Sequence, residues 1–500
     1  MVIQYKNSSA IKYFKSFVFN NLTLGNSLHH FSMSKFLNKV TKYREKHTFS
    51  MVVSYSLSDL DNKKIGAGII ELMILVGLGS FLDGYDLLNI SNALPLISKS
   101  FAVTPLIKGL VGYVAYGGGI IGAAGFGFFA DKIGKRTIFI ADLIFFVVGS
   151  LFSAFSTNGV ELIAFRLLIG IGIGADIVTA PILLGDMAPS KRRGLLMGTS
   201  AAMWPTGALA SVGVTYGLIA AGIAPVIAWR WLLGLAVIPA IAVIILRSRV
   251  PESPRWLLAN GKYDDYKRVM AKLLNVKPED VTIPQKRKKM SITALFTKFG
   301  KPTTYSMIAW IIAGSVPISA YIPTLLIQIG HLNEFGALKF TAIYWGAALI
   351  GVAVGATLMD KIGRKFFFGV AAMIMVVVDI IFGLTYKTIP ASELALLGAF
   401  INFGDFLSVS VAYTIQAEVF PAEAKSTGGG LGFGVNRLDN FVLGTFLPIF
   451  LAVGLLGNYI IYIGAAVFIL MIIALYSGKE TKQLSLETIG MEEVASNDIR

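Results

Sequence analysis

Long apolar segments alternate with short polar segments along most of this chain. About 20 apolar residues, at about 1.5 Å each, cross the roughly 30 Å hydrocarbon core of a bilayer. A scan for apolar runs of this length predicts twelve helices, at residues 66–90, 106–130, 137–155, 161–184, 195–222, 228–246, 303–330, 338–359, 366–386, 392–416, 428–453 and 456–476. We therefore expect an all-α membrane protein with twelve transmembrane helices.

The longest connection between these spans divides them six and six. The predicted organisation is a basic N-terminal tail (1–65), a six-helix bundle (66–247), a linker loop (248–302), a second six-helix bundle (303–477) and a C-terminal tail (478–500). The N-terminal tail is mixed in polarity, and lysine breaks its apolar stretch, so it does not resemble a cleavable signal peptide.

The two halves repeat short motifs. Residues 131–136, Asp-Lys-Ile-Gly-Lys-Arg, recur as Asp-Lys-Ile-Gly-Arg-Lys at 360–365, and Asp-Met-Ala-Pro at 186–189 is echoed by Glu-Val-Phe-Pro at 418–421. Nearly equal offsets indicate an internal duplication in parallel orientation. This predicts two pseudo-symmetric bundles that rock about a central site.

The net charge of +15 does not indicate a nucleic-acid partner, because its distribution follows the predicted spans. Most of the 44 Lys and Arg residues fall in loops on one side of the membrane, together with both tails. Positive residues mark the cytoplasmic side, so both termini are predicted to be cytoplasmic in a multi-pass protein of the cell membrane. The exceptions on the opposite side are Lys99, Lys108, Arg230, Lys339 and Lys387.

The sequence does not support a catalytic or metal site built from cysteine or histidine. The chain has no cysteine, and its four histidines lie in the tail (His29, His30, His47) or in an outer loop (His331). Thiolate chemistry is excluded, and no histidine cluster is predicted at membrane depth. We expect no metal, no other cofactor and no enzymatic activity.

Two carboxylates interrupt the first apolar span. Asp83 and Asp86 are three residues apart, so they are predicted to share one helix face. An aspartate in hydrocarbon costs at least about 2.5 kcal/mol, and such residues usually mark an ion or substrate pathway. The alternative is a pair satisfied by neighbouring helices for packing alone.

The motif at 131–136 resembles the signature of the major facilitator superfamily of transporters. Arg166, followed by Gly170, Gly172 and Gly174, resembles the superfamily's fourth-helix pattern. Three later segments resemble segments of sugar porters and phosphate symporters in the same chain order: residues 251–258, 418–421 and, more weakly, 479–487. The resemblance covers about residues 66–490. It implies a secondary transporter that works by alternating access.

The resemblance also implies where protons bind. In proton-coupled sugar porters and related phosphate symporters, an Asp and an Arg matching Asp86 and Arg166 form the proton-linked pair. Asp83 would be a second proton site, or it would disfavour simultaneous ionisation of both carboxylates. Asp176 matches an Asp of phosphate:proton symporters. The Asp-Gly-Tyr-Asp motif at 83–86 is similar to aromatic-acid:proton symporters, so organic or aromatic acid is the first expected substrate, with sugar or phosphate next.

A second set of polar residues is expected to bind the substrate. Arg437 lies at mid-membrane depth, and a buried arginine suits bidentate recognition of a carboxylate. An equally supported alternative is a structural contact of Arg437 with Asp405 or Asp439. The predicted binding residues are Arg437, Asp405, Asn436, Asn440, Trp204 and Tyr321, with Trp310 and Tyr413 as further aromatic candidates that could instead only pack.

Charged residues on the predicted cytoplasmic face are expected to form a gate of breakable ion pairs. Asp131 is expected to pair with Lys135 or Arg136, or to face the N-terminus of another helix. The alternative is surface charge worth under about 1 kcal/mol per pair. The gate candidates are Asp131, Lys135, Arg136, Asp186, Arg193, Glu252, Arg255, Asp360, Arg364 and Glu418.

The sequence thus predicts a monomeric transporter that moves a small polar or anionic metabolite together with protons across the lipid bilayer. Two alternatives stay open. One is a uniporter of the same fold, and the other is a substrate-sensing membrane receptor that does not transport. An intramembrane enzyme is a more distant possibility.

Overall fold

The computed structural model describes residues 2–3, 53–62, 65–97, 100, 105–284, 292–297, 299–420 and 425–482. The predicted tails lie largely outside these residues. The same is true of residues 285–291 and 298 in the linker loop and of the end of the 479–487 motif.

The first half of the described chain is helical after one short strand pair. Strand β1 (Val2–Ile3) pairs antiparallel with β2 (Val53–Ser54). The helices are α1 Leu57–Asp61, α2 Ala67–Ile97, α3 Pro105–Ile121, α4 Gly127–Ile133, α5 Lys135–Phe155, α6 Gly159–Met187, α7 Arg193–Ala201, α8 Met203–Ala220, α9 Pro225–Gly234 and α10 Val237–Arg247. A π-helical turn, Gly122–Phe126, joins α3 to α4, and a 3-10 turn, Ser190–Arg192, precedes α7.

The linker and the second half are also helical. The linker carries α11 Pro254–Ala259, α12 Tyr263–Leu274, a 3-10 turn at Pro278–Asp280 and α13 Ile292–Thr297. The second half has α14 Gly300–Ile312, a 3-10 turn Pro317–Tyr321, α15 Ile322–Gln328, α16 Glu334–Ile362, α17 Arg364–Thr385, α18 Ala391–Glu418, α19 Lys425–Ala452 and α20 Leu456–Ser477.

Nine helical segments in the described ranges are long and apolar enough to cross a membrane. Of the twelve predicted spans, those at 195–222, 303–330 and 428–453 are not among the nine. The first is divided between α7 and α8, and the second is broken. The third is one continuous helix, α19, whose polar residues interrupt its apolar run.

The predicted continuous helix at 303–330 is wrong. It consists of α14, a 3-10 turn and α15. Gly314 has φ +150°, a backbone conformation that glycine adopts far more readily than residues with a Cβ, and Pro317 cannot donate a main-chain hydrogen bond. The helix therefore opens in its middle, where the main-chain groups need other partners.

The two halves pack in similar ways. Helix α5 packs against α6 in the first half, and α17 packs against α18 in the second. The halves meet where α3 contacts α19, α8 contacts α16, and α7 contacts α16 and α18. Within the first half, α3 and α6 approach so closely that a Cβ on Gly170 would overlap the carbonyl of Ala115.

Candidate functional site

A central cavity opens between the two halves. Its lining is mainly apolar and rich in aromatic side chains, with a few polar groups, as is typical of sites for small molecules. It is lined by Tyr113, Tyr116, Ile177 and Trp204 from the first half, and by Trp310, Ala313, Gly314, Val316, Ser319, Trp345, Asp405, Phe406, Val409, Tyr413, Phe433, Asn436, Arg437 and Asn440 from the second.

Asp86 on α2 and Arg166 on α6 are in direct contact. Arg166 Nη1 lies 2.7 Å from Asp86 Oδ2, and both side chains are fully buried. The same nitrogen donates to the main-chain oxygen of Asp86 at 3.3 Å, and the Asn89 amide donates to Asp86 Oδ1 at 3.4 Å. The charge of Arg166 also interacts with Tyr116, which lines the cavity.

The four residues predicted to couple protons do not form one site. Asp176 contacts Arg247, with Arg247 Nη1 at 2.8 Å from Asp176 Oδ1. Arg247 Nη1 also lies 3.1 Å from Asp142 Oδ1, and Asp83 is an electrostatic neighbour of this group. We name Asp142, Asp176 and Arg247 the arginine clasp. The two aspartates of α2 thus have different charged neighbours, because Asp86 contacts Arg166 while the charges of the clasp act on Asp83.

Sequence reasoning missed Asp142 and Arg247. Asp142 interrupts the apolar span 137–155 just as Asp83 interrupts the first span, so the same rule would have found it. Arg247 follows the last apolar residue of its span and resembled a loop residue. The same rule would also have found Asp379, which is buried in α17.

Arg437 on α19 is almost fully buried against aromatic rings. Its guanidinium lies 4.3 Å from the ring centroid of Phe433 and 5.0 Å from that of Tyr116. Among the described residues no carboxylate lies within 4.0 Å of it, so the alternative of a structural ion pair with Asp405 or Asp439 is wrong. Asp439 instead accepts a hydrogen bond from the Ser315 hydroxyl at 3.1 Å.

Asn436 and Asn440 lie at the cavity but have structural partners. The Asn436 amide donates to the main-chain oxygens of Trp310 and Ala313, at 2.7 and 2.6 Å, and Asn440 donates to the main-chain oxygen of Asn436. Carbonyls at a helix end need donors from outside the helix. Asn436 therefore stabilises the break after α14 while presenting its remaining atoms to the cavity.

The aromatic candidates divide into two groups. Trp204 lies in the lining and packs at 5.4 Å from both Trp345 and Phe406, measured between ring centroids. Trp310 also lines the cavity. Tyr321 does not belong to the lining; its ring lies 5.5 Å from that of Tyr113, so its predicted place in the cavity is wrong.

The charged residues of the first half form a connected group at one end of the molecule. Lys135 Nζ lies 2.8 Å from Asp186 Oδ2, which also accepts from the Ser253 hydroxyl at 2.5 Å. Glu252 accepts from the main-chain amides of Lys135 and Arg136, each at 3.2 Å, at the N-terminus of α5. Burial raises the pKa of Glu252, and these hydrogen bonds from main-chain amides partly offset that effect.

The second half repeats this arrangement. Arg364 lies 3.1 Å from Glu418 and 2.9 Å from Asp360, and the Thr481 hydroxyl donates to Glu418 at 2.5 Å. Glu480 accepts from the amides of Arg364 and Lys365 at the N-terminus of α17. The turns before α5 and α17 also match, with φ +117° at Gly134 and φ +119° at Gly363.

Several contacts at this end join the two halves. Asp131 accepts from the amides of Ser426 and Thr427 at the start of α19, at 3.2 and 2.8 Å. It thus faces a helix N-terminus and makes no hydrogen bond with Lys135 or Arg136. Arg193 Nη1 lies 3.4 Å from Glu418, and Asp360 accepts from the Leu195 amide at 3.1 Å. We name this end of the molecule the ion-pair face.

Two gate candidates have partners that the sequence did not suggest. Arg136 donates to the main-chain oxygen of Ser248 at 2.6 Å. Arg255 lies 3.0 Å from Asp61, which also contacts Arg193 at 3.2 Å. Asp61 was missed because it precedes the first apolar span, in a region interpreted as tail.

Comparison with known proteins fits this geometry. Residues 72–492 match the family described as "Sugar (and other) transporter". The glucose transporter GlcP of Staphylococcus epidermidis is 30% identical, over 84% of this chain and 96% of that protein. The galactose-proton symporter of Escherichia coli is 28% identical, over 83% of this chain and 92% of that protein.

A solved structure shares the fold. The proton:xylose symporter XylE, of the major facilitator superfamily, has a TM-score of 0.73 at 20% identity, covering 85% of this chain and 98% of that one. With the aromatic cavity between two similarly packed halves, these matches lead to one conclusion. The chain belongs to the sugar (and other) transporter family, and it is a multi-pass membrane transporter with the major facilitator fold rather than an enzyme.

Proposed function

We propose that this protein is a proton symporter that carries a sugar-class substrate by alternating access. The moving units are the bundles at 66–247 and 303–477, each with six spans, and both termini are cytoplasmic. The motif at 83–86 made an organic acid the first expected substrate. Relatives named for glucose, galactose and xylose instead favour a sugar, so sugar now comes before organic acid. Relatives named as proton symporters support the coupling.

The observation that carries the proposal is the buried contact between Asp86 and Arg166. A proton on Asp86 removes the charge that holds Arg166 Nη1 at 2.7 Å. Arg166 Nε and Nη2 have no hydrogen-bond partner among the described residues, so few other bonds hold the arginine in place. Protonation would therefore free Arg166 to rearrange beside Tyr116, at the wall of the cavity.

The ion-pair face would act as the cytoplasmic gate. Contacts from Arg193 to Glu418, and from Asp131 to the start of α19, join the halves at this end. Opening the cavity towards this side requires these contacts to break. Their donors and acceptors would be exposed to water, which replaces the lost hydrogen bonds and lowers the cost of opening.

The test uses the purified full chain in proteoliposomes. D-Glucose, D-galactose, D-xylose and phosphate are added in turn while the internal pH is recorded, for the wild type and for Asp86→Asn. We expect one of the sugars to drive proton entry in the wild type. Asp86→Asn should lose this proton movement and keep substrate exchange across the membrane, because exchange needs no net proton transfer.

Asp264→Asn is the matched control, because it removes an exposed carboxylate in α12. It should behave like the wild type. Equal proton movement in wild type and Asp86→Asn would remove Asp86 from the mechanism. Sugar transport without any proton movement would identify a uniporter.

A further inference from the structure

Arg437 is an isolated buried cation in the wall of the central cavity. It is 6% exposed, and in the described part of the chain no carboxylate comes within 4.0 Å of its guanidinium. Its Nε has no hydrogen-bond partner there. A buried cation without a paired anion is costly, so this arrangement calls for a function.

The surroundings hold the guanidinium in place without neutralising it. The rings of Phe433 and Tyr116 lie beneath it, and aromatic faces attract cations while leaving the N–H groups available at the edge. Gly119 on α3 makes room, because a Cβ there would lie only 3.0 Å from Arg437 Cγ. Residues of both halves therefore shape the position of this one cation.

The ligand that best matches such a group is a carboxylate. A guanidinium presents parallel N–H donors in a fork that fits the two oxygens of a carboxylate. Asp83 is the carboxylate that contributes most to the electrostatic environment of Arg437, but it lies beyond ion-pair distance. The carboxylate that completes the pair is thus expected to come from the substrate.

The rest of the cavity fits a hydroxylated ring. Trp310 and Trp345 offer flat apolar faces, while Asn440, Asp405 and Ser319 supply hydrogen-bonding groups. Asp405 Oδ1 is buried and has no hydrogen-bond partner among the described residues, so it can accept from a hydroxyl. An arginine, polar acceptors and aromatic planes in one cavity match a sugar that also carries a negative charge.

We propose that the substrate is a sugar acid, such as a uronate or an aldonate, whose carboxylate binds Arg437. This inference rests on the proposed transport function and narrows its substrate class. It also explains how an arginine suited to organic acids can occur in a sugar transporter family. Entry of one monoanion with one proton would carry no net charge across the membrane.

The experiment compares two ligands that differ only at the carboxyl group. Uptake of radiolabelled D-glucuronate into proteoliposomes is measured with D-glucuronamide, D-glucose, D-galacturonate or D-gluconate as competitor. The amide is a neutral analogue of nearly the same shape. We expect wild-type protein to transport glucuronate and to bind glucuronamide at least about tenfold more weakly, since a charge-assisted bidentate contact is lost.

Two substitutions then test the residue itself. Arg437→Gln should weaken glucuronate binding by about 10- to 100-fold and abolish the difference between acid and amide. Arg437→Lys should retain a preference for the acid at reduced affinity, because a point charge replaces the fork. Arg268→Gln, at an exposed arginine of α12, is the matched control and should resemble the wild type.

The outcomes separate this inference from the proposed function. Transport of D-glucose, with none of the three acids transported or competing, overturns the sugar acid and leaves sugar transport intact. Absence of transport for both neutral and acidic sugars overturns both. If the Arg437→Gln variant still binds glucuronate more tightly than glucuronamide, Arg437 is not the residue that binds the carboxylate. The comparison of glucuronate with glucuronamide in the wild-type protein tests the proposal even if a variant fails to fold.

Discussion

Arg437 in the second half differs from Arg166 and Arg247 in the first half, because among the described residues it has no carboxylate partner within 4.0 Å. In the first half, Arg166 is held by Asp86, and Arg247 is held by Asp142 and Asp176. In the second half, within the described residues, Arg437 has no carboxylate within 4.0 Å. Asp379 and Asp405 likewise have no cation within that distance.

Under the proposed function, the two halves would have different roles. Charges that neutralise one another inside a bundle can hold or release a proton without a ligand. Charges left unpaired at a cavity wall must be satisfied by something that arrives there. In the proposed transport cycle, the first half would couple protons and the second half would recognise the substrate.

The largest expected effect comes from breaking the arginine clasp. Arg247→Ala leaves the buried carboxylates of Asp142 and Asp176 without their cation. The expected loss is about 3–5 kcal/mol of unfolding free energy, because a buried pair loses one partner. Arg437→Ala should cost less than about 1 kcal/mol, since it breaks no ion pair. Thermal unfolding in detergent checks both variants, and equal losses would contradict the comparison.

The next largest loss of stability is expected where α2 packs closely against the arginine clasp. A Cβ on Gly79 of α2 would overlap both Arg247 and Asp176, whereas one on Gly434 of α19 would meet nothing within 4 Å. Gly79→Ala should destabilise the protein by about 1–3 kcal/mol, as overpacking does. Gly434→Ala should leave stability within about 1 kcal/mol of the wild type. The same unfolding measurement applies, and a harmless Gly79→Ala would show that the clasp is loosely packed.

A smaller effect is expected at the ion-pair face, where the halves are joined. Arg193→Gln removes the charge that contacts both Glu418 and Asp61, and should shift the protein towards opening at this face. Because the chain has no cysteine, a cysteine placed at Val409 in the cavity is the sole thiol. A membrane-impermeant thiol reagent applied at this face should label it about fivefold faster, equivalent to about 1 kcal/mol.

Arg268→Gln provides the control for this labelling. Its ion pair with Asp265 is exposed, and exposed pairs contribute little. Its labelling rate should therefore match that of the otherwise wild-type protein. An unchanged rate in Arg193→Gln would mean that this contact does not keep the halves together.

The smallest effect is expected at Asp379. No cation lies within 4.0 Å of it in the described part of the chain, so Asp379→Asn breaks no ion pair and should change unfolding free energy by less than about 1 kcal/mol. Asp186→Asn, which weakens a buried pair with Lys135, should cost more. A larger loss at Asp379 than at Asp186 would reveal a charge partner for Asp379 and would weaken the contrast between the halves.

Much of the candidate site could be predicted from single ionisable residues that interrupt apolar runs. Asp86 and Arg166 stood out because ionisable residues are rare within membrane spans. The same rule would have identified Asp142 and Asp379. It could not assign partners, because depth along a helix is readable from sequence but rotation about its axis relative to neighbouring helices is not. The sequence therefore did not reveal that Asp176 contacts Arg247.

The sequence by itself determined the class of molecule: apolar segments of bilayer length, a duplicated loop motif and charge sorted by loop. These depend on the solvent and on local chain geometry, which act on each segment separately. Tertiary structure alone decided which buried charges pair, that Arg437 stays unpaired, and that the helix at Gly314 opens. The physical reason is that an ion pair forms over a few ångströms, and residues distant in sequence reach that separation only when their helices pack together.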